Sequence, residues 1–377
     1  MSEWKKVRIR DISSVLGDGI HGTPQYDDSG DYFFINGNNL LDGKIIIKPE
    51  TNRVSYDEHL KHRKPLTNRT VLVSINGTLG NIALYNGEKC ILGKSTCYFN
   101  VNEDVEKLFI KYILTGMDFQ SYIFRFAHGT TIKNVSLEAM RNYSFRLPPL
   151  PTQTRIAEIL SAYDDAIENN NRRIALLEKA ATELYREWFV RMRFPGYQTT
   201  KFVNGLPEGW EVGRVGSVVK LSRGHDLPLT SVIDGCIPVV GSSGIIAFHN
   251  KSTTDKPAIV LGRSGSTGTP RFYDCKCWVH NTAIYAKEIR ENPLWVYYML
   301  CQIDYSNLTG GSAVPTLNKN HVEAHKIVIP AGKIQDLFDS YIKTMIAEKT
   351  NLQSQSQNLA RQRDLLLPRL MSGKLKV

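Results

Sequence analysis

Several short motifs in this chain could bind phosphate, and their spacing decides whether they do. Residues 87–95 (Gly-Glu-Lys-Cys-Ile-Leu-Gly-Lys-Ser) approach a phosphate-binding loop, in which backbone amides surround a nucleotide's phosphates. Five residues separate the two glycines, however, where that motif has four, and the loop geometry depends on this number. Gly262, Gly265 and Gly268 do not match the dinucleotide-binding fingerprint either. Instead, these glycines predict a tight loop that recurs elsewhere in the chain.

Patterns for metal binding and catalysis are also incomplete. Cys275-Lys276-Cys277 with His280 could supply zinc ligands, but the two-residue spacing and a second pair are missing. Asn292-Pro293-Leu294-Trp295 is the nearest sequence to the loop with which adenine methyltransferases hold a flipped base. It lacks the second proline of that loop and is better explained as a helix start. We therefore expect no catalytic residue, no metal site and no cofactor in this chain.

The most informative feature of the sequence is a long internal duplication. Residues 71–80 are echoed by residues 259–268, and residues 129–132 by residues 311–314. The period far exceeds the roughly 20–50 residues of solenoid repeats, so it predicts a duplicated domain. Two similar recognition domains on one chain suit a long ligand with two reading sites, and DNA is the obvious candidate.

The repeated loops also supply the candidate DNA contacts. Small polar residues let the backbone approach a groove, and Arg, Lys, Asn, Ser and Thr side chains bind bases and phosphates. In the first half these residues are Asn76, Thr78, Lys94, Ser95, Thr96, Arg125, Thr130, Thr131 and Lys133, with the basic run Lys61-His62-Arg63-Lys64. In the second half they are Arg263, Ser264, Ser266, Thr267, Asn281, Thr282, Ser312, Thr316 and Lys319. For each residue, the alternative is a hydrogen-bonded turn position.

Length and composition describe a globular protein of two or three domains. The chain has 377 residues, of which 42% are hydrophobic and 22% charged. Its formal net charge of +10 gives both repeated domains a mild positive bias, which is compatible with phosphate contacts. No apolar run is long enough for a signal peptide or a membrane span, and the six cysteines form no disulfide framework. We expect a cytoplasmic protein with no membrane partner.

Short apolar runs bounded by Asn-Gly turns predict two similar α/β (α+β) domains dominated by strands. In the first domain we expect a helix over residues 104–115, with Asp104 as its cap and Gly116 as its stop. The matching helix of the second domain begins at Asn292-Pro293, a cap followed by proline in the first turn.

Two long helices with heptad seams are predicted over residues 152–192 and 333–366. Because the chain leaves through one helix and returns through the other, we expect an antiparallel intramolecular coiled coil with a pseudo-twofold axis between the domains. Pairing with a second chain is the alternative. Asn170 either sets the register of the first seam or lies at a solvated edge. The predicted boundaries are 1–150 for the first domain, 151–195 for the first helical segment, 196–330 for the second domain and 331–377 for the second helix and tail.

Motifs at the joints of this plan resemble those of the specificity subunit of type I restriction–modification systems. They are Leu147-Pro148-Pro149-Leu150-Pro151, Ile156-Ala157-Glu158-Ile159-Leu160, Ile174-Ala175-Leu176-Leu177-Glu178, Trp188-Phe189-Val190, Leu206-Pro207-Glu208-Gly209-Trp210 and Leu367-Pro368-Arg369-Leu370-Met371-Ser372-Gly373-Lys374-Leu375. Each motif is unspecific alone, but their order, duplication and spacing cover almost the whole chain. The second helix departs from the pattern, because Ala331-Gly332-Lys333 replaces the proline-rich stretch that precedes the first.

The resemblance implies two target recognition domains, each reading one half of an asymmetric, interrupted DNA sequence, with the helices as a ruler for the gap. It implies no catalysis by this chain. Two methyltransferase subunits would use S-adenosylmethionine, and motor-nuclease subunits would use ATP and magnesium. Exposed helix ends would dock the methyltransferase through Tyr185, Trp188, Phe189 and Leu366. Because each domain is only weakly basic, we expect modest DNA affinity for the isolated chain.

Two other classes of function stay open at this point. The chain could be a self-contained enzyme, such as a methyltransferase whose site has no familiar motif. It could also be a coiled-coil scaffold, or a DNA-binding protein acting outside restriction–modification. Binding of S-adenosylmethionine by the lone chain would favour the first alternative, and a dimeric mass would favour the scaffold.

Overall fold

The computed structural model describes residues 4–129, 132–310 and 316–377. The chain divides into two units, one made of residues 1–170 with 355–377 and the other of residues 171–354. Each unit contains a strand-rich domain together with segments of two long helices.

The strands of the first unit are short and separated by turns. They are β1 (Lys5–Arg8), β2 (Ser13–Asp18), β3 (Tyr32–Ile35), β4 (Leu40–Leu41), β5 (Lys44–Ile45), β6 (Arg53–Val54), β7 (Thr70–Ser74), β8 (Ile82–Leu84), β9 (Cys90–Leu92), β10 (Thr96–Val101) and β11 (Ser144–Leu147). The helices of its domain are α1 (Tyr56–His62), α2 (Lys107–Thr115), α3 (Met117–Arg125) and α4 (Leu137–Asn142), followed by the long α5 (Leu150–Tyr185).

A four-stranded antiparallel sheet of order β2-β10-β7-β8 organises this domain. Its central strands β7 and β10 are rich in β-branched and aromatic residues and are buried along their whole length. One face packs on α2 and α3, where Phe99, Phe109 and Phe119 are fully buried. A second sheet of order β6-β3-β9 contains a parallel pair, β3 with β9.

The second unit repeats the plan with its own strands. They are β12 (Phe202–Val203), β13 (Leu206–Pro207), β14 (Glu211–Arg214), β15 (Val219–Arg223), β16 (Ile237–Gly241), β17 (Gly244–His249), β18 (Ala258–Gly262), β19 (Pro270–Tyr273), β20 (Trp278–Val279), β21 (Ala283–Ile289), β22 (Thr309–Gly310), β23 (Thr316–Leu317) and β24 (Lys326–Ile329). Its helices are α6 (Val215–Val218), α7 (Pro293–Cys301), α8 (Lys319–Ala324) and the long α9 (Gly332–Met371).

The order of strands in the two units confirms the duplication. The main sheet of the second unit has the order β15-β21-β18-β19, which matches β2-β10-β7-β8 strand for strand. Its smaller sheet, β17-β16-β20, again contains one parallel pair, β16 with β20. The pair β14 with β24 corresponds in the same way to β1 with β11. The predicted α/β class with two similar domains is therefore confirmed.

In the first unit the long helices pack antiparallel to each other. Asp164 of α5 accepts from Arg363 of α9 at 2.6 Å, and Lys111 and Tyr112 of α2 donate to the same carboxylate at 2.6 and 2.7 Å. Further along, Leu370 joins the core around α5, although Pro368 lies inside the helix.

The second unit contains the same antiparallel pairing. Lys349 of α9 forms an ion pair with Glu178 of α5 at 2.6 Å, and Arg173 forms one with Glu348 at 2.7 Å. In both units the paired segments belong to one chain, as predicted. Asn170 is buried, so the solvated-edge alternative is wrong and its role in the register stays a prediction.

Three predicted helix ends differ from the structure. α2 begins at Lys107, and its cap is Glu106 rather than Asp104, because the Glu106 carboxylate accepts from the Leu108 amide at 3.0 Å. The first long helix ends in a π-helix, Arg186–Val190, and the second runs to Met371. Gly116 ends α2, and Asn292 caps α7, as predicted.

In the described ranges, the structure has no helix that is both long enough and apolar enough to cross a membrane.

Candidate nucleic-acid interface

The same glycine loop follows equivalent strands in the two units. After β7, the amide of Gly80 donates to the carbonyl of Ser74 at 2.9 Å, and after β18 the amide of Gly268 donates to that of Gly262 at 2.9 Å. The closing glycines have φ values of +83° and +72°, in the left-handed region that favours glycine. The predicted tight, recurring loop is confirmed.

A second candidate segment packs beside this loop in the first unit. The Asn76 side chain donates to Asn134 Oδ1 at 3.2 Å, and the Gly77 amide donates to the carbonyl of Lys133 at 3.0 Å. Next to them, the Val135 amide donates to the carbonyl of Ile75 at 2.8 Å. The loop that carries Thr78 and the segment that carries Lys133 therefore form one surface.

The second unit makes the equivalent contacts. The Leu317 amide donates to the carbonyl of Arg263 at 2.8 Å, and Ser264 pairs with Thr316 across an antiparallel bridge. The segment that begins at Thr316 thus lies against the loop that carries Ser264 and Ser266.

A third candidate segment meets the loop from the other side. The Ile75 amide donates to the carbonyl of Ser95 at 2.9 Å, and the Arg263 amide donates to that of Thr282 at 2.9 Å. The hydroxyl of Ser95 accepts from the Gly37 amide at 2.8 Å, and that of Thr282 accepts from the Ser242 amide at 3.3 Å. These two hydroxyls support the loops from inside the protein. Three segments chosen from the sequence therefore converge in each unit.

Exposure separates the candidates into accessible, half-buried and buried side chains. Exposed are Thr78, Lys94, Arg125, Lys133, Ser266 and Lys319. Half-buried are Asn76, Ser95, Arg263, Ser264, Thr267, Asn281, Thr282 and Thr316. Thr96 of β10 is fully buried between β2 and β7, so its predicted DNA contact is wrong. Thr130, Thr131 and Ser312 lie outside the described residues.

The basic residues of the first unit are not equally available. Lys61 and His62 both pair with the buried Glu58, at 3.0 and 3.2 Å. Arg125 and Lys133 instead lie over aromatic rings, 5.4 Å from the centre of Phe126 and 5.8 Å from that of Phe124. An aromatic ring orients a cation without neutralising its charge, so these two side chains can still attract a phosphate.

A cleft of about 410 Å³ lies behind the loop of the second unit. Its described lining is Arg223, Arg263, Ile284, Gly310, Thr316, Leu317, Asn318, Lys319 and His321. Arg223 and His321 are not among the candidate residues predicted from the sequence. Arg223 lies at the end of β15, far along the chain from the loops, and only the strand pairing brings it to Ile284. The duplication carried no signal for it either, because the equivalent residue of the first unit is Asp18.

The docking role predicted for the aromatic residues at the end of the first long helix is wrong, because these residues are buried. Tyr185, Trp188 and Phe189 are 5%, 6% and 7% exposed. Their rings lie 5.9, 5.9 and 5.1 Å from that of Phe338 on α9, inside the core of the second unit. The helix end turns these rings inward, so they are not an exposed docking surface.

Leu366, the docking residue predicted on the second helix, is half-buried against the core of the first unit.

Two of the cysteines that are wholly or partly buried have thiols that are poor nucleophiles. Burial raises the pKa of Cys90 to about 12, and partial burial raises that of the half-buried Cys301 to about 11, so both thiols stay protonated near neutral pH. Cys277 donates to the carbonyl of Cys275 at 3.8 Å. Among the residues that the structure describes, no group of three or more His, Cys, Asp or Glu side chains could hold a metal ion.

Comparison with known proteins identifies the family. A family model described as "Type I restriction modification DNA specificity domain" matches residues 1–179 and 207–360. The chain belongs to this family. It is 24% identical over 413 residues to the type I restriction enzyme MjaIX specificity subunit of Methanocaldococcus jannaschii, covering 100% of this chain and 94% of that protein. The putative MjaX specificity subunit of the same organism is 22% identical over 408 residues, again with 100% and 94% covered.

A solved structure has the same fold. The S subunit of a type I restriction–modification system from M. genitalium superposes with a TM-score of 0.59 at 19% identity, covering 98% of this chain and 96% of that one. Family membership makes this chain a non-catalytic specificity subunit, because catalysis belongs to partner subunits. The alternatives of a self-contained enzyme and of an unrelated scaffold are thereby set aside.

Proposed function

We propose that each strand-rich domain reads one half of an interrupted, asymmetric DNA target. The observation that carries this proposal is the convergence of three polar segments around a glycine loop, built with the same hydrogen bonds in both units. Left-handed glycines let the backbone of such a loop approach a base edge closely. Neighbouring exposed cations, Lys133 in the first unit and Lys319 in the second, would hold the phosphates.

The side chains around the two loops differ, and this supports an asymmetric target. Asn76 and Thr78 stand where the second unit has Ser264 and Ser266. Since base readout depends on the donors and acceptors that reach a base edge, the two loops would select different base pairs. The two loops share their backbone hydrogen bonds but differ in the side chains that would reach a base edge.

The two long helices would set the gap between the half-sites and dock two methyltransferase subunits. S-adenosylmethionine would bind to those subunits, and ATP and magnesium to motor-nuclease subunits that join them. This chain would act with them on double-stranded DNA in the cytoplasm. Because Tyr185, Trp188 and Phe189 are buried, docking would use exposed positions of α5 and α9 such as Leu176 and Leu365.

The experiment is selection from a random duplex library by the purified complex of this chain with its methyltransferase subunits. The expected product is a motif of two different short halves separated by a fixed gap. The isolated chain should bind the selected duplex more weakly than the complex in about 150 mM salt, because it supplies few phosphate contacts. A single uninterrupted motif, or nanomolar binding by the isolated chain, would contradict the proposal.

A further inference from the structure

The cleft of the second unit collects positive charge without a counter-charge. Arg223, Arg263 and Lys319 line it, and its described lining includes no carboxylate. Within the described ranges, the side chains of Arg223, Arg263 and Lys319 make no hydrogen bond or ion pair. Cations gathered in one cleft repel each other, and an anionic ligand removes that repulsion.

In the described part of the first unit, the positions equivalent to Arg223, Arg263 and Lys319 carry no cation, although the strand order is the same. Arg223 pairs with Ile284 where Asp18 pairs with Cys97, so the equivalent of this arginine is an acid. The amides of Ile75 and Arg263 make equivalent bonds, so the equivalent of the second arginine is apolar.

The short helices that follow the caps Ser136 and Asn318 differ in the same way. Leu137 stands in the first unit where Lys319 stands in the second. Asp18 is itself engaged, since it lies 2.8 Å from His21. The cationic cleft is therefore a property of the second unit and not of the duplicated fold.

We propose that this cleft binds the DNA backbone through a phosphodiester, and that the second domain therefore supplies more of the electrostatic affinity than the first. The inference rests on the proposed function and deepens it. A base edge in the major groove offers a single arginine at most two acceptors, so three cations around one cleft exceed what a base requires. They match the charge and the several oxygens of a phosphate. Ile284 and Leu317 of the lining are buried and apolar, and Thr316 and Asn318 are neutral, so the three cations set the charge that a ligand must match.

The test measures how the affinity of the methyltransferase complex for duplex DNA depends on salt. The variant Arg223→Gln with Lys319→Gln should weaken binding to target and scrambled duplexes by the same factor. The slope of log K against log salt should become shallower by about 2, close to one for each cation removed. Lys319→Gln alone, at an exposed position, should change the slope by about 1 without disturbing the core. Lys251→Gln, an exposed lysine outside the cleft, is the matched control and should leave the slope unchanged.

The alternative outcomes are distinct. If the slope stayed unchanged while discrimination at one base pair of a half-site was lost, the cleft would bind a base and the phosphate assignment would be wrong. If the Lys251 variant lost as much slope as the Lys319 variant, the effect would be one of net charge, and the cleft would have no special role. A wild-type complex that bound no duplex at all would contradict the proposed function itself, and this inference with it.

Discussion

Gln153 and Gln335 make the same two hydrogen bonds, one residue in each unit. Gln153 donates to the carbonyl of Pro148 at 2.8 Å and accepts from the amide of Glu106 at 2.9 Å. Gln335 donates to the carbonyl of Pro330 at 3.0 Å and accepts from the amide of Asn292 at 3.2 Å. Both side chains are 1% exposed. Each glutamine ties the start of a long helix to the cap of the domain helix beside it.

Loss of either glutamine should therefore destabilise its unit. Gln153→Ala removes the partner of the part-buried Glu106 amide and of the buried Pro148 carbonyl, at a cost of up to about 1–3 kcal/mol for each group. We expect a clear fall in the melting temperature by calorimetry. Gln362→Ala, on an exposed position of α9, is the control and should melt like the wild type. Equal melting of the two variants would show that the bonds of Gln153 contribute nothing.

Two neighbouring residues of the π-helix at the end of α5, Phe189 and Val190, should differ in how much their side chains contribute to the free energy of unfolding. Phe189→Ala removes a ring that packs on Phe338 and Trp210, and should cost about 3–5 kcal/mol of unfolding free energy. Val190→Ala, 59% exposed, should cost less than about 0.5 kcal/mol. Denaturant unfolding of the two variants measures the difference. A Phe189→Ala variant of normal stability that failed to bind the methyltransferase would restore the docking role and overturn the core assignment.

Asp164 predicts how the stability of the first unit depends on pH. Burial alone would raise the pKa of this carboxyl, but hydrogen bonds from Lys111 and Arg363 outweigh it and hold the pKa below the ordinary 3.8. The ionised form is thus favoured by folding. Its contribution is complete above the ordinary value and is lost as the pH falls through the lowered one.

Unfolding of the wild type and of Asp164→Asn, followed from about pH 7 to about pH 3, tests this sign. The variant should be less stable at neutral pH, and its stability should fall less steeply below about pH 4. Asp165→Asn, at the exposed neighbour, should keep the wild-type profile. Parallel profiles for wild type and Asp164→Asn would refute the linkage.

The glycine loop of the first unit offers a matched pair of substitutions. Gly77 and Gly80 both have positive φ, so alanine at either should cost about 1–2 kcal/mol. A Cβ at Gly77 meets nothing within 4 Å, whereas one at Gly80 lies 2.3 Å from Gln120 Oε1. The Gln120 amide is held by the carbonyls of Gly80 and Leu114, at 2.9 and 2.8 Å, and would lose these bonds by moving. Gly80→Ala should be the more destabilising in thermal unfolding, and the reverse order would refute this packing.

Some features could be predicted from the sequence because they are local or repeated. Asn292-Pro293 carries its own capping chemistry, and α7 begins there. The loop glycines are the residues that tolerate a left-handed backbone. The duplication aligns Gly77 and Gly80 with Gly265 and Gly268, so it predicted the same loop in both halves. The antiparallel pairing of the long helices could be predicted because the chain leaves through one long helix and returns through the other.

Other features depended on contacts between distant segments. Glu106 caps α2 through its carboxylate, and Gln153, from another helix, accepts a hydrogen bond from the amide of this cap residue. A tryptophan and a phenylalanine at a helix end suit a partner surface or a core equally well, and only the packing of Phe338 decides. Arg223 joins the cleft through strand pairing, and its equivalent in the first unit is an acid, Asp18. Thr96 fits the polar pattern of a contact residue, yet it lies in a fully buried strand.

The most direct test of the account is a map of methylated adenines in DNA from cells that co-express this chain with its methyltransferase subunit. The wild type should give one split motif with a methylated adenine in each half. Asn76→Ala with Thr78→Ala should relax one half only, and Ser264→Ala with Ser266→Ala should relax the other. An uninterrupted motif, or two variants that change the same half, would contradict the claim that each unit reads its own half-site.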